Sequence, residues 1–146
     1  VAKALQEHGG IFGCEENGGM IFPDFVWGRD GAMAAAQILH LMAREGKPLS
    51  ELLKELPPYY QVKTRLEIDP HKREKILQEV ERTIAEEKNQ KEIITIDGYK
   101  VIFEDGSWLL IRFSGTEPLV RVFAESKDKE KAENLEKKYL DLIKGI

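Results

Sequence analysis

The sequence has one cysteine, no long apolar run and no surplus of positive charge. Its 146 residues include 22 Lys and Arg against 26 Asp and Glu, and the net charge of −4 gives no support to a nucleic-acid surface. The single cysteine, Cys14, excludes an internal disulfide framework and is typical of a reducing compartment. No segment approaches the ~18 apolar residues that span a bilayer, and the first residues carry no signal-peptide pattern. We therefore expect a soluble, cytoplasmic protein with no membrane or nucleic-acid partner.

The first part of the chain alternates short apolar segments with glycines. The pattern predicts a helix over 1–8 that ends at Gly9-Gly10, and a short buried strand at Ile11-Phe12. A glycine-bracketed acidic loop follows over 13–19, and a further apolar run, 20–22, ends at Pro23.

A strong helix is predicted over 32–45, which is rich in Ala, Leu and Met and is apolar on nearly every side. Asp30 is placed to cap it, and we expect it to be buried on more than one face. A second helix is predicted over 50–56 with Ser50 as its cap. Pro57-Pro58 then marks a domain boundary, which divides a partial α/β domain over 1–56 from a domain over 57–146.

The second domain is predicted to be an α+β module. Residues 60–68 alternate polar and apolar side chains, as in a strand buried on one side, and Asp69-Pro70 begins an amphipathic helix. Two Asp-Gly pairs separate the apolar runs that follow, and such pairs are strong hairpin signals. The predicted strands are 93–96, 99–103, 108–114 and 119–125, and an amphipathic helix begins near Asp128. We assign the order β-α-β-β-β-α, an antiparallel sheet with helices on one face.

The segment from Arg112 to Pro118 has the residue types of a phosphate site. On a strand, Arg112 and Ser114 are expected on the same face, and Gly115 lets the backbone approach a ligand closely. The hydroxyl of Thr116 and consecutive N–H groups add further donors to the guanidinium. We also expect an ion pair between two supporting residues, Glu117 and Arg121. The spacing alone agrees equally well with a hairpin whose polar residues face water and bind no phosphate.

Two other segments are candidates for binding. In the loop 13–19, the carboxylates and Asn17 suit a polyhydroxylated ligand, although composition favours a solvated turn. A metal ion in this loop would lack a third ligand at a recognisable spacing. Arg29 precedes a helix and suits an anion, although Asp30 as a cap is the simpler interpretation. No nucleophile elbow, P-loop or zinc spacing is present.

Taken together, three motifs resemble the C-terminal part of the α-D-phosphohexomutase family, of the phosphomannomutase/phosphoglucomutase type. They are Gly-Cys-Glu-Glu-Asn-Gly-Gly over 13–19, Arg-Asp-Gly-Ala over 29–32, and Arg-Phe-Ser-Gly-Thr-Glu-Pro-Leu-Val-Arg-Val over 112–122. The resemblance covers essentially the whole chain and implies the end of the family's third domain followed by its fourth.

The resemblance also implies the roles of individual residues. It places sugar recognition on Glu15 and Asn17, and phosphate binding on Arg112 and on the loop residues Ser114, Gly115 and Thr116. It implies a phosphorylated hexose as substrate, a hexose bisphosphate as activator, and Mg²⁺ held by ligands outside this chain. The phosphoserine loop and the metal loop belong to preceding domains, so we expect no catalytic residue and no turnover in this chain alone.

Several alternatives remain open. Many family members have a His after the loop glycine, where this chain has Gly19, so no acid or base is assigned. The loop sequence Glu-Glu-Asn favours mannose or glucose phosphates over glucosamine phosphate. A non-catalytic sugar-phosphate-binding regulatory module is a second hypothesis. A small RNA-binding α+β domain is a third, and it requires a basic sheet face.

Overall fold

The computed structural model describes residues 1–15 and 17–146, so the predicted acidic loop is described except for Glu16. The chain divides into two compact units, Val1–Pro57 and Pro58–Ile146. Across the described residues, every helix is too short or too polar to cross a membrane.

The first unit contains a small antiparallel sheet in the order β1-β2-β3 and three α-helices. A turn of 3-10 helix over Leu53–Glu55 follows the last of these helices. The bounds are α1 Ala2–His8, β1 Gly13–Cys14, β2 Met20–Phe22, β3 Val26–Arg29, α2 Gly31–Glu45 and α3 Leu49–Leu52.

Local signals determine the ends of the helices in this unit. Gly9 ends α1 in the left-handed conformation, with φ 63°, and Asp30 caps α2 by accepting a hydrogen bond of 2.7 Å from the Met33 N–H. Both features were predicted. The predicted cap at Ser50 is wrong, because α3 begins at Leu49 and Pro48 precedes it without a side-chain cap.

Burial in the first unit differs from the prediction at two places. No residue of α2 is buried, although its composition predicted burial on more than one face. Ile11 is 84% exposed and Phe12 is 47% exposed, so the predicted buried strand is wrong. The strand begins only at Gly13, because the chain is still turning away from α1 at Gly10, whose N–H bonds to the Leu5 carbonyl.

The second unit contains a five-stranded antiparallel sheet in the order β4-β8-β7-β6-β5. Its elements follow the order β-α-β-β-β-β-α, so the order we assigned left out one of the four strands predicted after the helix. The bounds are β4 Tyr60–Glu67, α4 Arg73–Ala85, β5 Gln90–Ile94, β6 Tyr99–Phe103, β7 Trp108–Phe113, β8 Leu119–Ser126 and α5 Lys129–Lys144. A 3-10 turn over Pro70–Lys72, capped by Asp69, leads into α4.

The two helices of this unit pack on one face of the sheet, which confirms the α+β prediction. Alternate residues of β7 and β8 enter a single core with the apolar stripes of α4 and α5, because side chains of a strand alternate between its two faces. The fully buried members of this core are Val80, Val101, Leu109, Ile111, Val120, Val122, Ala124 and Tyr139. The opposite face of the sheet carries the side chains between them and is open.

The turn between β5 and β6 lies directly against β7. Gly98 has φ +90°, and a Cβ atom at this position would lie 2.3 Å from the Ile111 carbonyl oxygen and 3.0 Å from the Arg112 Cα. Glycine is therefore required both by the backbone conformation and by the close approach. This contact brings Asp97 to the end of β7 where Arg112 lies.

Candidate functional site

Arg112 lies on the open face of the sheet, one residue before the end of β7. One of its terminal nitrogens lies 2.7 Å from the Asp97 carboxylate, and the side chain is 46% exposed. The guanidinium is therefore held by an acidic partner within the protein, yet it remains open to an anion from solvent.

Ser114 is buried whereas Arg112 is exposed, so the two side chains are not presented together to solvent. The strand ends at Phe113, and the strict alternation of faces ends with it. Ser114 is 6% exposed, and its hydroxyl oxygen accepts hydrogen bonds from the backbone N–H groups of Thr116 and Glu117, at 3.4 and 3.2 Å. Ser114 thus shapes the loop from inside and occupies two of the N–H groups that were expected to face a ligand.

Gly115 and Thr116 are exposed at the tip of this loop. Within the described part of the chain, nothing accepts a hydrogen bond from the Gly115 N–H. The loop borders a groove of about 310 Å³ that is also lined by Ile68 and Pro70. An amide donor and a hydroxyl are therefore available at the tip.

Arg73, the first residue of α4, supports the loop and was missed by the sequence analysis. Its guanidinium donates a hydrogen bond of 3.0 Å to the Ser114 carbonyl and lies over the Phe113 ring, 5.2 Å from the centroid. This contact joins residues 41 positions apart. Arg73 is one of many charged residues on α4, so the sequence does not distinguish it from the others.

The predicted ion pair between Glu117 and Arg121 is not formed among the described residues. Arg121 lies on β8, directly opposite Arg112 on one side and Arg65 on the other. Glu117 belongs to the turn before β8, where its N–H is bound by Ser114. The prediction failed because Glu117 lies in the turn before β8, so the alternation of the strand does not place it on the face of Arg121.

In the described part of the acidic loop, the polar contacts centre on Glu15. Glu15 accepts hydrogen bonds from the Arg29 guanidinium at 3.1 Å and from the Asn17 amide at 3.3 Å, and Asn17 in turn accepts one of 2.9 Å from the Gly19 N–H. The structure therefore brings the two predicted sugar-binding residues together and adds Arg29 to them. Arg29 is a partner of Glu15, a pairing that the sequence analysis did not predict.

Gly19 leaves the space that the Arg29 side chain fills. A Cβ atom at Gly19 would lie 2.5 Å from the Arg29 Cδ and 3.2 Å from a carboxylate oxygen of Glu15. A residue larger than glycine at this position requires that Arg29 move.

The described residues contain no cluster of three or more His, Cys, Asp or Glu side chains suited to a metal ion. None of the described side chains is therefore assigned to Mg²⁺. Tyr99, beside the Asp97 turn, donates a hydrogen bond to Glu81, and this bond raises the pKa of the phenol to about 12. Tyr99 is thus protonated at neutral pH and cannot act as a base.

The fold and these contacts define a two-part chain. It consists of a small unit with a Glu15-centred polar loop, and an α+β unit whose sheet ends in an exposed arginine and a glycine-containing loop. Residues 1–60 match the model of phosphoglucomutase/phosphomannomutase alpha/beta/alpha domain III, and residues 48–142 match the model of the phosphoglucomutase/phosphomannomutase C-terminal domain. The chain belongs to the phosphoglucomutase/phosphomannomutase family, that is, to the α-D-phosphohexomutases.

Individual relatives agree with this assignment. The chain is 51% identical over 142 residues to a phosphoglucomutase/phosphomannomutase of Thermococcus kodakarensis, covering 97% of this chain and 29% of that protein. It is 38% identical to a phosphoglucosamine/phosphogalactosamine mutase of Sulfurisphaera tokodaii, covering 99% of this chain and 31% of that protein. The crystal structure of a family protein from Burkholderia thailandensis matches 99% of this chain and 30% of its own, with a TM-score of 0.76 at 27% identity. The chain thus spans less than a third of the length of these relatives.

Proposed function

We propose that this chain is the sugar- and phosphate-binding part of a phosphohexomutase that interconverts hexose 1-phosphates and 6-phosphates. In the proposed reaction, a phosphoserine outside this chain gives its phosphoryl group to the free hydroxyl of the sugar phosphate. The resulting bisphosphate returns its other phosphoryl group to the serine. Both steps require that the phosphoryl group that is not reacting be held in place.

The observation that carries the proposal is the position of Arg112. It is an exposed guanidinium beside a loop whose tip offers the Gly115 N–H and the Thr116 hydroxyl, and guanidinium, amide and hydroxyl donors suit a phosphate oxyanion. Ser114 acts from within the loop by fixing its backbone. Holding the idle phosphate supplies binding energy that orients the reacting hydroxyl.

We assign sugar recognition to Glu15 and Asn17. A carboxylate accepts hydrogen bonds from two neighbouring hydroxyls at once, and this pattern is preserved when the sugar turns to present its other end. The contact between Arg29 and Glu15 supports this role, because it orients the carboxylate. Glu15 and Arg112 belong to different units, so each contact is testable by itself.

We further propose that the substrates are mannose or glucose phosphates and that the enzyme acts in the cytoplasm. The full-length enzyme is proposed to require Mg²⁺ and a hexose bisphosphate. When bound there, Mg²⁺ would assist transfer at the phosphoserine. The residues of this chain bind and orient the substrate but do not exchange protons with it. Relatives named for glucose, mannose and glucosamine phosphates make the choice of hexose a separate question.

Binding of inorganic phosphate and of glucose 1-phosphate to this chain tests the proposal. Isothermal titration should detect binding of both by the wild-type chain, and Arg112→Gln should weaken both about tenfold or more, the equivalent of one lost charge-assisted contact. Lys137→Gln, an equal charge change on α5, is the control and should bind as the wild type does. Equal affinities of Arg112→Gln and Lys137→Gln would contradict the assignment of the site.

A coupled assay with glucose 1-phosphate and glucose 1,6-bisphosphate tests whether this chain alone has mutase activity. We expect no turnover from this chain, because neither the phosphoserine loop nor the metal loop is present in it. Measurable turnover would refute that part of the proposal. A full-length parent that binds glucose 1-phosphate but never converts it would favour a regulatory binding module instead.

A further inference from the structure

Three arginines form a row across the open face of the sheet. Arg65 on β4 is the direct register partner of Arg121 on β8, and Arg121 is the direct partner of Arg112 on β7. Neighbouring strands lie about 4.8 Å apart, so the backbones at Arg65 and Arg112 are separated by about 10 Å, with Arg121 between them. The row lies one residue from the end of β7, where the loop over 114–118 begins.

Such a row is unfavourable unless something compensates for it, because like charges directly opposite one another destabilise a sheet. Asp97 compensates one member through its ion pair with Arg112. In the part of the chain that the structure describes, Arg65 and Arg121 form no ion pair.

The other carboxylates on this face do not neutralise the row. Glu125 is engaged further along the sheet, where it accepts hydrogen bonds from Gln61 at 2.9 Å and from the Trp108 indole at 2.8 Å. Glu67 follows Arg65 by two residues and is paired in register with Leu119 rather than with an arginine. Two further cations, Lys63 and Lys100, lie in the next register row of this face; Lys63 lies over the Phe123 ring, 5.8 Å from the centroid, and Lys100 over the Trp108 ring, 4.7 Å from the centroid. The positive charge of the row is therefore concentrated beside the loop.

We infer that Arg65 is a further binding residue for the phosphoryl group of the hexose phosphate and acts together with Arg121 and Arg112. This inference rests on the proposed function and extends it to a strand that the motif over 112–122 does not include. A phosphoryl dianion placed over the row would offset the repulsion among the three guanidiniums, and planar guanidiniums are well suited to its oxygens. The row also attracts the dianion before contact is made, and salt screens that attraction.

The inference predicts opposite effects of one substitution on stability and on binding. Without ligand, Arg65→Gln should raise the urea midpoint of unfolding, because it removes a like-charge contact. With inorganic phosphate, the same variant should bind about 5- to 10-fold more weakly than the wild type. Arg65→Lys should bind inorganic phosphate more weakly than the wild type and more tightly than Arg65→Gln, because it keeps the charge and loses the planar guanidinium. Lys137→Gln on α5 is the charge-matched control and should change neither quantity.

The experiment is the titration of wild type, Arg65→Gln, Arg65→Lys, Arg112→Gln and Lys137→Gln with inorganic phosphate, together with urea unfolding of each variant. If Arg112→Gln weakens binding while Arg65→Gln behaves as Lys137→Gln does, the role of Arg65 is refuted and the proposed function stands. If the wild-type chain binds neither phosphate nor glucose 1-phosphate, the role of Arg65 and the proposed function are both refuted. A loss of stability on changing Arg65 to Gln would show that the row is structural and would also refute the inference.

Discussion

The carboxylate of Asp97 lies 2.7 Å from the guanidinium of Arg112, although Asp97 belongs to the turn between β5 and β6 and Arg112 to β7. The turn over 97–98 presses its backbone against β7, which places Asp97 at the guanidinium without the need for a long side chain. The residue proposed to meet a phosphate is therefore already in contact with an anion of the protein.

Asp97→Asn should strengthen the binding of phosphate. The carboxylate competes with the ligand for Arg112, and the amide keeps the shape of the side chain while it removes the charge. Exposed ion pairs contribute about 0.2–1 kcal/mol, so we expect the dissociation constant for inorganic phosphate to fall about two- to fivefold. Isothermal titration measures this change. Weaker binding by Asp97→Asn would instead indicate that the carboxylate holds Arg112 in its productive orientation.

Gly98→Ala should destabilise the second unit much more than Gly106→Ala does. Both glycines have positive φ values, +90° and +81°, so each substitution incurs a backbone cost of about 1 kcal/mol. At Gly98 the new methyl group also meets the Ile111 carbonyl oxygen, whereas the space at Gly106 is open. We expect a total loss of about 2 kcal/mol or more at Gly98, measured by urea unfolding. Equal losses in the two variants would show that the turn can move away from β7.

The stability of the second unit should fall in acid as Asp105 is protonated. Hydrogen bonds from Lys131 and Ser107 lower the pKa of Asp105 from 3.8 to about 2. Because the folded-state pKa is the lower one, the contribution is complete above about pH 4 and is lost as the pH falls to about 2. Urea unfolding from pH 2 to pH 6 should show a smaller loss for Asp105→Asn than for the wild type. Identical pH profiles would contradict a role for this carboxylate.

Helix α2 should exchange its amide hydrogens faster than the second unit does. None of its residues is buried, so little apolar contact opposes local opening, whereas β7 and β8 each contribute three residues to a closed core. Hydrogen exchange followed by mass spectrometry on a dilute sample measures the difference between 32–43 and 59–146. Equal protection in dilute monomer would contradict the expectation, and protection that increases with protein concentration would indicate that α2 packs against a second molecule.

Much of the second unit could be predicted from the sequence because its signals are local. The alternation over 60–67 and the two Asp-Gly turns identify strands and hairpins directly, and Asp69-Pro70 identifies the start of a helix. The edge strand β5 was placed late, at 93–96, because its first residues are polar and Ile96 belongs to the turn, where it is 93% exposed.

The contacts of the candidate site could not be predicted because they depend on pairing between distant segments. The row of arginines arises from the register of β4 on β8, and the Asp97–Arg112 pair arises from the packing of a turn against β7. The burial of Ser114 depends on where β7 ends, and a shift of one residue reverses the face on which a side chain lies. The residue types of the site are therefore visible in the sequence, whereas its geometry is not.

The strand that begins the second unit, β4, pairs along its whole length with the last strand, β8. During synthesis on the ribosome, β4 must therefore wait until every other strand of the sheet has been made. A chain interrupted before Leu119 would leave both β4 and β7 with unpaired edges, and such edges recruit other molecules into aggregates. The pairing that brings Arg65 to Arg121 thus also makes a newly made chain vulnerable until β8 has emerged.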